Sequence, residues 1–559
     1  MLRLTAGEHP GSIAIREPAP DGTLNEITYR DLHGDVEALA RAMSEWGERP
    51  VVGVVGRNSI AWATVYLAAM RAGGVVVPMD RELPVQEMRT ILHYSGAGTV
   101  FLDSGHLDGF LSTGPHTAPR MVVMNGGPAP GCLSYGYLLD HGRASRAELP
   151  DAPDLGSPAA IYYTSGTMGQ AKGVVLSQTN LLAVVRGMLQ MVRMDANDVF
   201  LSVLPMHHTY ECTCGFLGAL SSGATYHISR GLRYVADDIA ASGATIVLAV
   251  PLLWEAMYRR ILEGIRSVPG GRLKLGFGKA LAAAARLLAG DGVRRSIFAP
   301  VHAKLGGRIR LMISGGAGID PDVVRGFVSL GFTFLQGYGL TEASPLVSVN
   351  RVGANRIGSV GLPLPEMEVR IDEPDEEGMG EIVVRGPNVM LGYHNDPEET
   401  SRVLSADRWL RTGDYGYLDR DGYLFITGRR KNVIVAKNGK NVYPEEIECI
   451  LNRSGAVLES MVFGRESKTK GEEIWAIVVP DMEKLIAEAE AAGEILTRES
   501  VVGRMRREIR RFNSSQPLYK RIESFIVREE ELPKTTTRKI RRLEVLREAG
   551  LFPEKVFGV

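Results

Sequence analysis

The chain has 559 residues, 45% of them hydrophobic and 23% charged, with a formal net charge of -1. That length exceeds what one hydrophobic core organises, so two or more domains are expected. The balanced charge argues against a chain that works mainly by gripping nucleic acid or another polyanion.

In chain order, residues 29–46 carry apolar positions at helical spacing, and 51–55 form a β-branched run ending at Gly56. Residues 60–72 read as helix, 74–78 as a short buried strand, 83–94 as helix and 98–102 as strand. Strands alternating with helices predict α/β layers around a largely parallel sheet. Residues 104–157 are rich in Gly, Pro, Ser and His and read as loops and short elements. The longest apolar stretch, 60–70, is about half of what crossing a bilayer requires. No basic region followed by an apolar run opens the chain, so a soluble, cytoplasmic protein is expected. Cys132, Cys212, Cys214 and Cys449 form no CxxC pair, which argues against a disulfide framework or a structural zinc site. Cys212 and Cys214 read as small buried hydrophobes.

The apolar strand 160–163 runs into Thr164-Ser165-Gly166-Thr167-Met168-Gly169-Gln170-Ala171-Lys172-Gly173, after which 174–176 resumes strand character and Ser177 can cap a helix. Glycines let backbone N–H groups approach an anion, hydroxyls add donors, and lysine adds compact positive charge. The segment therefore reads as a phosphate loop; the bland alternative is a hydroxyl-rich hairpin turn. It is not a Walker A loop, because Gly173 rather than Ser or Thr follows Lys172, and no GxGxxG opens a helix after a strand.

A second organisational change falls at Gly428-Arg429-Arg430-Lys431. The strand-like run 422–427 precedes it; short strands, charged helices and a basic tail follow, enough chain to fold separately.

The loop resembles the phosphate-binding signature TSGTTGxPKG of the acyl-adenylate-forming (AMP-binding) superfamily, departing from it at Met168 and Ala171. Further motifs stand in that superfamily's order. Leu204-Pro205-Met206-His207-His208-Thr209-Tyr210-Glu211 is similar to LPxxHxxE, and Ser314-Gly315-Gly316-Ala317 to the adenine-binding turn. Gln336-Gly337-Tyr338-Gly339-Leu340-Thr341-Glu342 is similar to QGYGxTE, and Arg411-Thr412-Gly413-Asp414 to the ribose-binding RTGD. Gly428-Arg429-Arg430-Lys431 resembles the hinge, and residues 532–540, LPKTTTRKI, the catalytic-lysine motif. Arg538 before Lys539, and Glu211 after His208, resemble the long-chain fatty acid–CoA ligases in particular.

The resemblance implies a large multi-layer α/β N-terminal domain, residues 1–428, and a smaller mobile α+β C-terminal domain, residues 429–559. It implies activation of a medium- to long-chain fatty acid by ATP and Mg²⁺ as acyl-AMP, then transfer to coenzyme A. Thr164, Ser165, Gly166, Thr167, Gly169 and Lys172 would hold phosphates; Gly316, Ala317, Gln336, Gly337 and Tyr338 the base; Asp414 the ribose hydroxyls, with Arg429 a further nucleotide contact. The Tyr338 ring suits stacking on a flat base, and an acceptor-only carboxylate such as Asp414 suits ribose hydroxyls. Thr341 and Glu342 offer hard oxygens for Mg²⁺, with Glu342 the metal ligand. Lys539 would bring carboxylate and α-phosphate together, His208 would stand at the acyl and thiol entrance, and the Lys437-Asn438-Gly439 loop would line the thiol route. Against each stands a structural alternative: a core tyrosine, a turn aspartate, a helix-terminal glutamate, a solvated lysine in a basic tail.

Residues 259–310 carry twelve Lys and Arg against Glu263 and Asp291. This stretch fits two readings equally: a basic amphipathic element lying peripherally on the inner face of a membrane, or a solvated helical hairpin. An acyl-AMP ligase or carrier-protein loader shares the first half-reaction and is the main rival; a non-catalytic nucleotide binder is the second.

Overall fold

The computed structural model describes the chain except residues 20, 113–118, 128, 150–153, 165–171, 268–291, 437–439, 467–471, 536–538 and 552–559, and the side chains of 292 and 293. The chain forms two compact units, one of residues 1–369 and 384–410, the other of 370–383 and 411–559. Position 428/429, the boundary read from the sequence, lies at the end of the strand Leu424–Arg429.

Among the described residues, the first unit is built on one sheet of nine strands and one of eight. The centres are parallel: Val51–Val55 pairs with Val75–Met79 and Thr99–Leu102, and Ile246–Ala249 with Val199–Ser202 and Leu311–Ser314. Antiparallel pairs close the edges, such as Pro158–Thr164 with Lys172–Ser177 and Phe334–Gly339 with Leu346–Val349.

Helix Ile60–Arg71 explains the long apolar stretch. Every residue from Trp62 to Met70 is buried, and the helix packs on Ile13–Pro18 of one sheet and on Val51–Val55 and Val75–Met79 of the other. A helix that is apolar all round needs cover on all sides, and a layer between two sheets supplies it. Helix Gln178–Met191 lies in the same layer, touching Lys172–Ser177 and Leu346–Val349; Ser177 caps it through a reciprocal capping box with Asn180. Helices cover the outer faces too. Pro251–Arg266 and Pro321–Ser329 enclose a core with Trp254, Phe327 and Phe334, and Val85–Ser95 covers Val77, Val100 and Leu102. Among the described residues no helix is long and apolar enough to cross a membrane.

The predicted elements from 29 to 102 stand within a few residues of expectation. Residues 104–157 hold more structure than expected: the strand Arg120–Val123 extends the eight-stranded sheet, and Tyr135–Ala144 is a helix. That helix is short and contains Gly136 and Gly142, so its periodicity is poor. Gly142 is required by packing, because a Cβ there would sit 1.8 Å from the Ala38 carbonyl oxygen of the neighbouring helix.

The second unit packs strands Val457–Glu466, Glu472–Pro480 and Ser524–Val527 against helices Pro444–Leu451 and Arg498–Ser514. Alternation along its first strand sends Val462 to the helix side and Met461 and Phe463 to a second cluster with Leu532 and Val545.

Part of the basic stretch 259–310 is bound within the fold. Arg294 is 9% exposed and donates to the Val328 carbonyl at 3.3 Å; Arg295 donates to the Ile309 carbonyl at 2.7 Å. Arg310 pairs with Asp198, its Nε 2.7 Å from Oδ1. These three arginines are engaged within the fold. Residues 268–291 lie outside the described residues, while Arg259, Arg260 and Arg266 are exposed.

Candidate active site

In the nine-stranded sheet the parallel strands Val199–Ser202, Ile246–Ala249, Leu311–Ser314 and Phe334–Gly339 end on one edge. Ligand sites of open α/β sheets form beyond such carboxyl ends. The motif residues follow these strands: His207–His208 after the first, Gly315–Gly316 after the third, and Tyr338 to Glu342 at and after the fourth.

Two glycines around Tyr338 serve packing. A Cβ on Gly339 would lie 1.8 Å from the Pro345 carbonyl oxygen, and one on Gly337 would lie 3.1 Å from the Leu346 side chain. The strand can therefore run tightly against Leu346–Val349, leaving Tyr338 paired with Ser348 and 9% exposed. Gln336, also buried, pairs with Ser314. Gly316 takes φ +84°, which its absent Cβ permits; Ala317 follows in the same turn. At Gly315 a Cβ would lie 2.9 Å from the Tyr210 ring.

Thr341 and Glu342 form a short 3-10 turn. Buried Asn388 fastens it, donating to the Ala343 carbonyl at 3.0 Å and the Leu346 carbonyl at 2.8 Å. The Glu342 carbonyl accepts the Met390 N–H at 2.8 Å. The Glu342 carboxylate accepts the Tyr393 hydroxyl at 2.9 Å. Burial, then the Glu342 charge, raise the Tyr393 phenol well above its usual range, so it stays a donor.

Thr164 and Lys172 face each other across the hairpin whose loop is the phosphate signature. Ser165, Gly166, Thr167 and Gly169 lie outside the described residues. The Lys172 ammonium lies 5.2 Å from the Tyr393 ring centroid and pairs with Glu399. Tyr393 thus joins Lys172 to Glu342, although the two are far apart in sequence. Neither Tyr393 nor Glu399 was visible from the sequence: Tyr393 reaches the site because Gly392–Tyr393 pairs with Val175 and Val174, a tertiary event with no local signal.

The His207 and His208 rings lie with centroids 4.3 Å apart, tilted by 45° to each other. Burial and Arg81 push the His207 imidazole down to about 3, so it is neutral at physiological pH. The segment is held by Asn58, which donates to Ser202 Oγ at 3.0 Å and to the Leu204 carbonyl at 2.8 Å and accepts the Met206 N–H at 2.9 Å. Glu211 lies in the first turn of a π-helical stretch, Tyr210–Leu217, and is 1% exposed. The Tyr226 hydroxyl is 2.6 Å from Glu211 Oε1 and 2.7 Å from Ser202 Oγ. With one proton it donates to one and accepts from the other. Burial pushes the Glu211 carboxyl up to about 7. Cys212 and Cys214 are buried free thiols.

In the second unit, Asp414 is 4% exposed and its Oδ1 is 2.7 Å from Arg429 Nε. The two face each other across the strands Leu410–Leu418 and Leu424–Arg429. Residues 437–439 lie outside the described residues. Lys539 donates its N–H to Thr535 Oγ1 at 3.1 Å, and its carbonyl accepts the Thr535 N–H at 2.8 Å.

Among the described residues no three His, Cys, Asp or Glu side chains are arranged to hold a metal. Glu342, with the Thr341 hydroxyl, still suits Mg²⁺, which binds through one or two carboxylates and takes its other ligands from phosphates and water.

The hairpin bearing Lys172, the strand bearing Tyr338 and the Glu342 carboxylate thus stand in one unit of the fold. The chain belongs to the AMP-binding enzyme family: the family's main domain matches residues 2–394, and its C-terminal domain matches residues 446–539. It is a ligase, and it is similar to the peroxisomal long chain acyl-CoA synthetase 6 of Arabidopsis thaliana, 31% identical over 79% of this chain and 68% of that protein. It is 30% identical to an indoleacetate–CoA ligase of Aromatoleum aromaticum over 97% of this chain and 96% of the relative. A chloroplast long-chain-fatty-acid–[acyl-carrier-protein] ligase of Arabidopsis thaliana is 26% identical over 92% of this chain and 79% of its own. The ATP-bound structure of MatB from Rhodopseudomonas palustris shares the fold, with a TM-score of 0.75, 24% identity and coverage of 98% and 99%.

Proposed function

We propose that this ligase activates a medium- to long-chain fatty acid with ATP and transfers the acyl group to coenzyme A, releasing pyrophosphate and then AMP. The observation that carries the reading is the Lys172–Tyr393–Glu342 cluster. It sets a cation at the end of the phosphate hairpin close to a fixed carboxylate, an arrangement suited to a metal-bound polyphosphate.

In this reading Thr164, Ser165, Gly166, Thr167, Gly169 and Lys172 bind phosphates, and Tyr338, Gln336, Gly337, Gly316 and Ala317 hold the base. Asp414 takes the ribose hydroxyls while Arg429 fixes its orientation. Glu342, with the Thr341 hydroxyl beside it, would hold Mg²⁺, which would supply positive charge against the polyphosphate. Lys539 offsets the repulsion between carboxylate and α-phosphate in the first half-reaction, and His208 borders the acyl and thiol entrance. The fatty acid carboxylate attacks the α-phosphorus; the thiol then attacks the acyl carbon and AMP departs. No protein nucleophile is used, so positioning and electrostatics carry the rate.

The chain-length preference rests on Glu211, Arg538-Lys539 and the long-chain relative. A second reading, with a free acyl carrier protein as acceptor, is favoured by the chloroplast relative. Peripheral contact of residues 259–310 with an anionic inner membrane surface stays part of the proposal, through the exposed Arg259, Arg260 and Arg266. The test is a screen of acids from two to twenty carbons, plus aromatic acids, for AMP release with coenzyme A or with carrier protein. The expected optimum is a medium- to long-chain acid with coenzyme A alone sufficient. A preference for acetate or an aromatic acid, or an absolute need for carrier protein, contradicts the reading.

A further inference from the structure

The motif around Lys539 contains a second lysine, Lys534, and the two have different surroundings. Lys534 turns inward. Its ammonium is 2.8 Å from Glu459 Oε2 and 2.8 Å from Glu531 Oε2, and its side chain is 11% exposed. Glu459 stands on the strand Val457–Glu466 and is itself 9% exposed. Its other oxygen accepts the Leu532 N–H at 2.7 Å. One buried carboxylate therefore fixes both the backbone and the side chain of the segment entering the Lys539 loop. Leu532, 2% exposed, anchors the same segment among Met461, Phe463, Ile477 and Val479.

The loop then closes on itself. Lys534 and Ile540 form an antiparallel bridge. The Arg541 N–H reaches the Pro533 carbonyl at 2.8 Å, and Thr535 and Lys539 exchange the two bonds described above. The segment leaving the loop returns to the same strand: Arg542 donates to the Val462 carbonyl at 2.7 Å and is paired with Glu448 at 2.7 Å. Both stems of the loop are thus tied to one strand, three residues apart, by charged side chains.

We propose that Glu459, acting through Lys534 and the Leu532 amide, is a positioning residue that sets the direction of Lys539 for adenylation. The inference rests on the proposed role of Lys539. A displacement of about 1 Å at a reacting group can lower a rate about a hundredfold, so a carboxylate remote from the chemistry can control the first half-reaction. The second half-reaction starts from acyl-AMP and does not need Lys539, so it is indifferent to the loop's direction.

The test measures pyrophosphate release from acid and ATP, and separately acyl-CoA formation from supplied acyl-AMP and CoA. The proteins are the full-length wild type, Glu459→Gln, Lys534→Met, Lys539→Ala and the double variant Glu459→Gln/Lys539→Ala. Glu459→Gln is expected to slow pyrophosphate release about ten- to a hundredfold while leaving acyl-CoA formation within about twofold, which also certifies its fold. Lys534→Met, which keeps the Leu532 bond, is expected to give a smaller loss of the same selectivity. The double variant is expected to be no slower in adenylation than Lys539→Ala alone, because Glu459 acts through that lysine. Equal loss of both half-reactions in Glu459→Gln and Lys534→Met, or a further loss in the double variant, would overturn the proposal. Full adenylation by Lys539→Ala would overturn the role of Lys539 itself, and is recognised without reference to Glu459.

Discussion

Tyr393 is the residue that links Lys172 to Glu342 in the candidate site. Its hydroxyl holds the Glu342 carboxylate at 2.9 Å and its ring faces the Lys172 ammonium. A hydrogen bond to a charged group contributes about 1.5–3 kcal/mol. Tyr393→Phe is therefore expected to lower kcat/KM for ATP roughly ten- to a hundredfold, with little change in melting temperature because the ring stays. A change below about twofold would mean that Glu342 is placed by Asn388 and the backbone alone. Glu211 makes a pH-dependent prediction. Its carboxyl is raised from 4.5 to about 7 by burial. The unfolded chain therefore loses the proton first, and the penalty for folding grows as pH rises from 4.5 to 7. It reaches on the order of 3 kcal/mol and is constant above that. Glu211→Gln keeps an acceptor for Tyr226 and removes the titration. Denaturant unfolding should show the variant gaining stability relative to wild type between pH 5 and 7.5; a pH-independent difference would show that Glu211 is not raised. Residues such as Glu342, Lys172 and Asp414 were legible because motif spacing marks them. Tyr393, Asn388 and Asn58 were not, because each acts through partners more than 40 positions distant in the chain.

At the level of elements, glycines decide how closely strands approach. The segment Phe334–Gly339 delivers both Tyr338 and Glu342, and Gly339 lets it lie against the Pro345 carbonyl. Gly339→Ala is expected to destabilise by about 1–3 kcal/mol or more, since overpacking strains the backbone, and to abolish ATP-dependent turnover. Gly337→Ala, whose nearest obstacle is the tip of Leu346, is expected to be milder on both measures. Thermal unfolding and pyrophosphate release on the pair check this; the reverse order would contradict the packing account. Elements with strong periodicity, such as Tyr29–Ser44 and Val85–Ser95, could be read from the sequence. Tyr135–Ala144 could not, since Gly142 there answers to Ala38 on a neighbouring helix and weakens the local pattern. The π-helical form of Tyr210–Leu217 was likewise hidden: Gly215 leaves room beside the buried Glu211 carboxylate, 2.8 Å from where a Cβ would be.

For the whole molecule, the layered α/β architecture followed from alternating strands and helices, and the family from motifs spread from residue 164 to residue 540. The surface function of residues 259–310 did not follow. Composition counts arginines but cannot tell Arg294, which is buried, from Arg259, which is exposed. The resemblance implies that a hinge near Lys431 separates the two half-reactions. Proline fixes φ, and hinge motion is absorbed by few backbone angles. Lys431→Pro is therefore expected to retain one half-reaction and lose the other, most directly acyl-AMP formation without thioester release. Unimpaired turnover through both steps would remove Lys431 from the hinge. The central claim, that the acid is activated by adenylation, is tested most directly by isotope transfer. The enzyme is given a long-chain fatty acid labelled with ¹⁸O in its carboxylate, together with ATP, Mg²⁺ and coenzyme A, and the phosphorus products are analysed by mass. The account predicts one ¹⁸O in each AMP formed, because the carboxylate oxygen that attacks the α-phosphorus leaves with AMP when the thiol displaces it. Label in orthophosphate with ADP as co-product, or AMP formed without label, would contradict it.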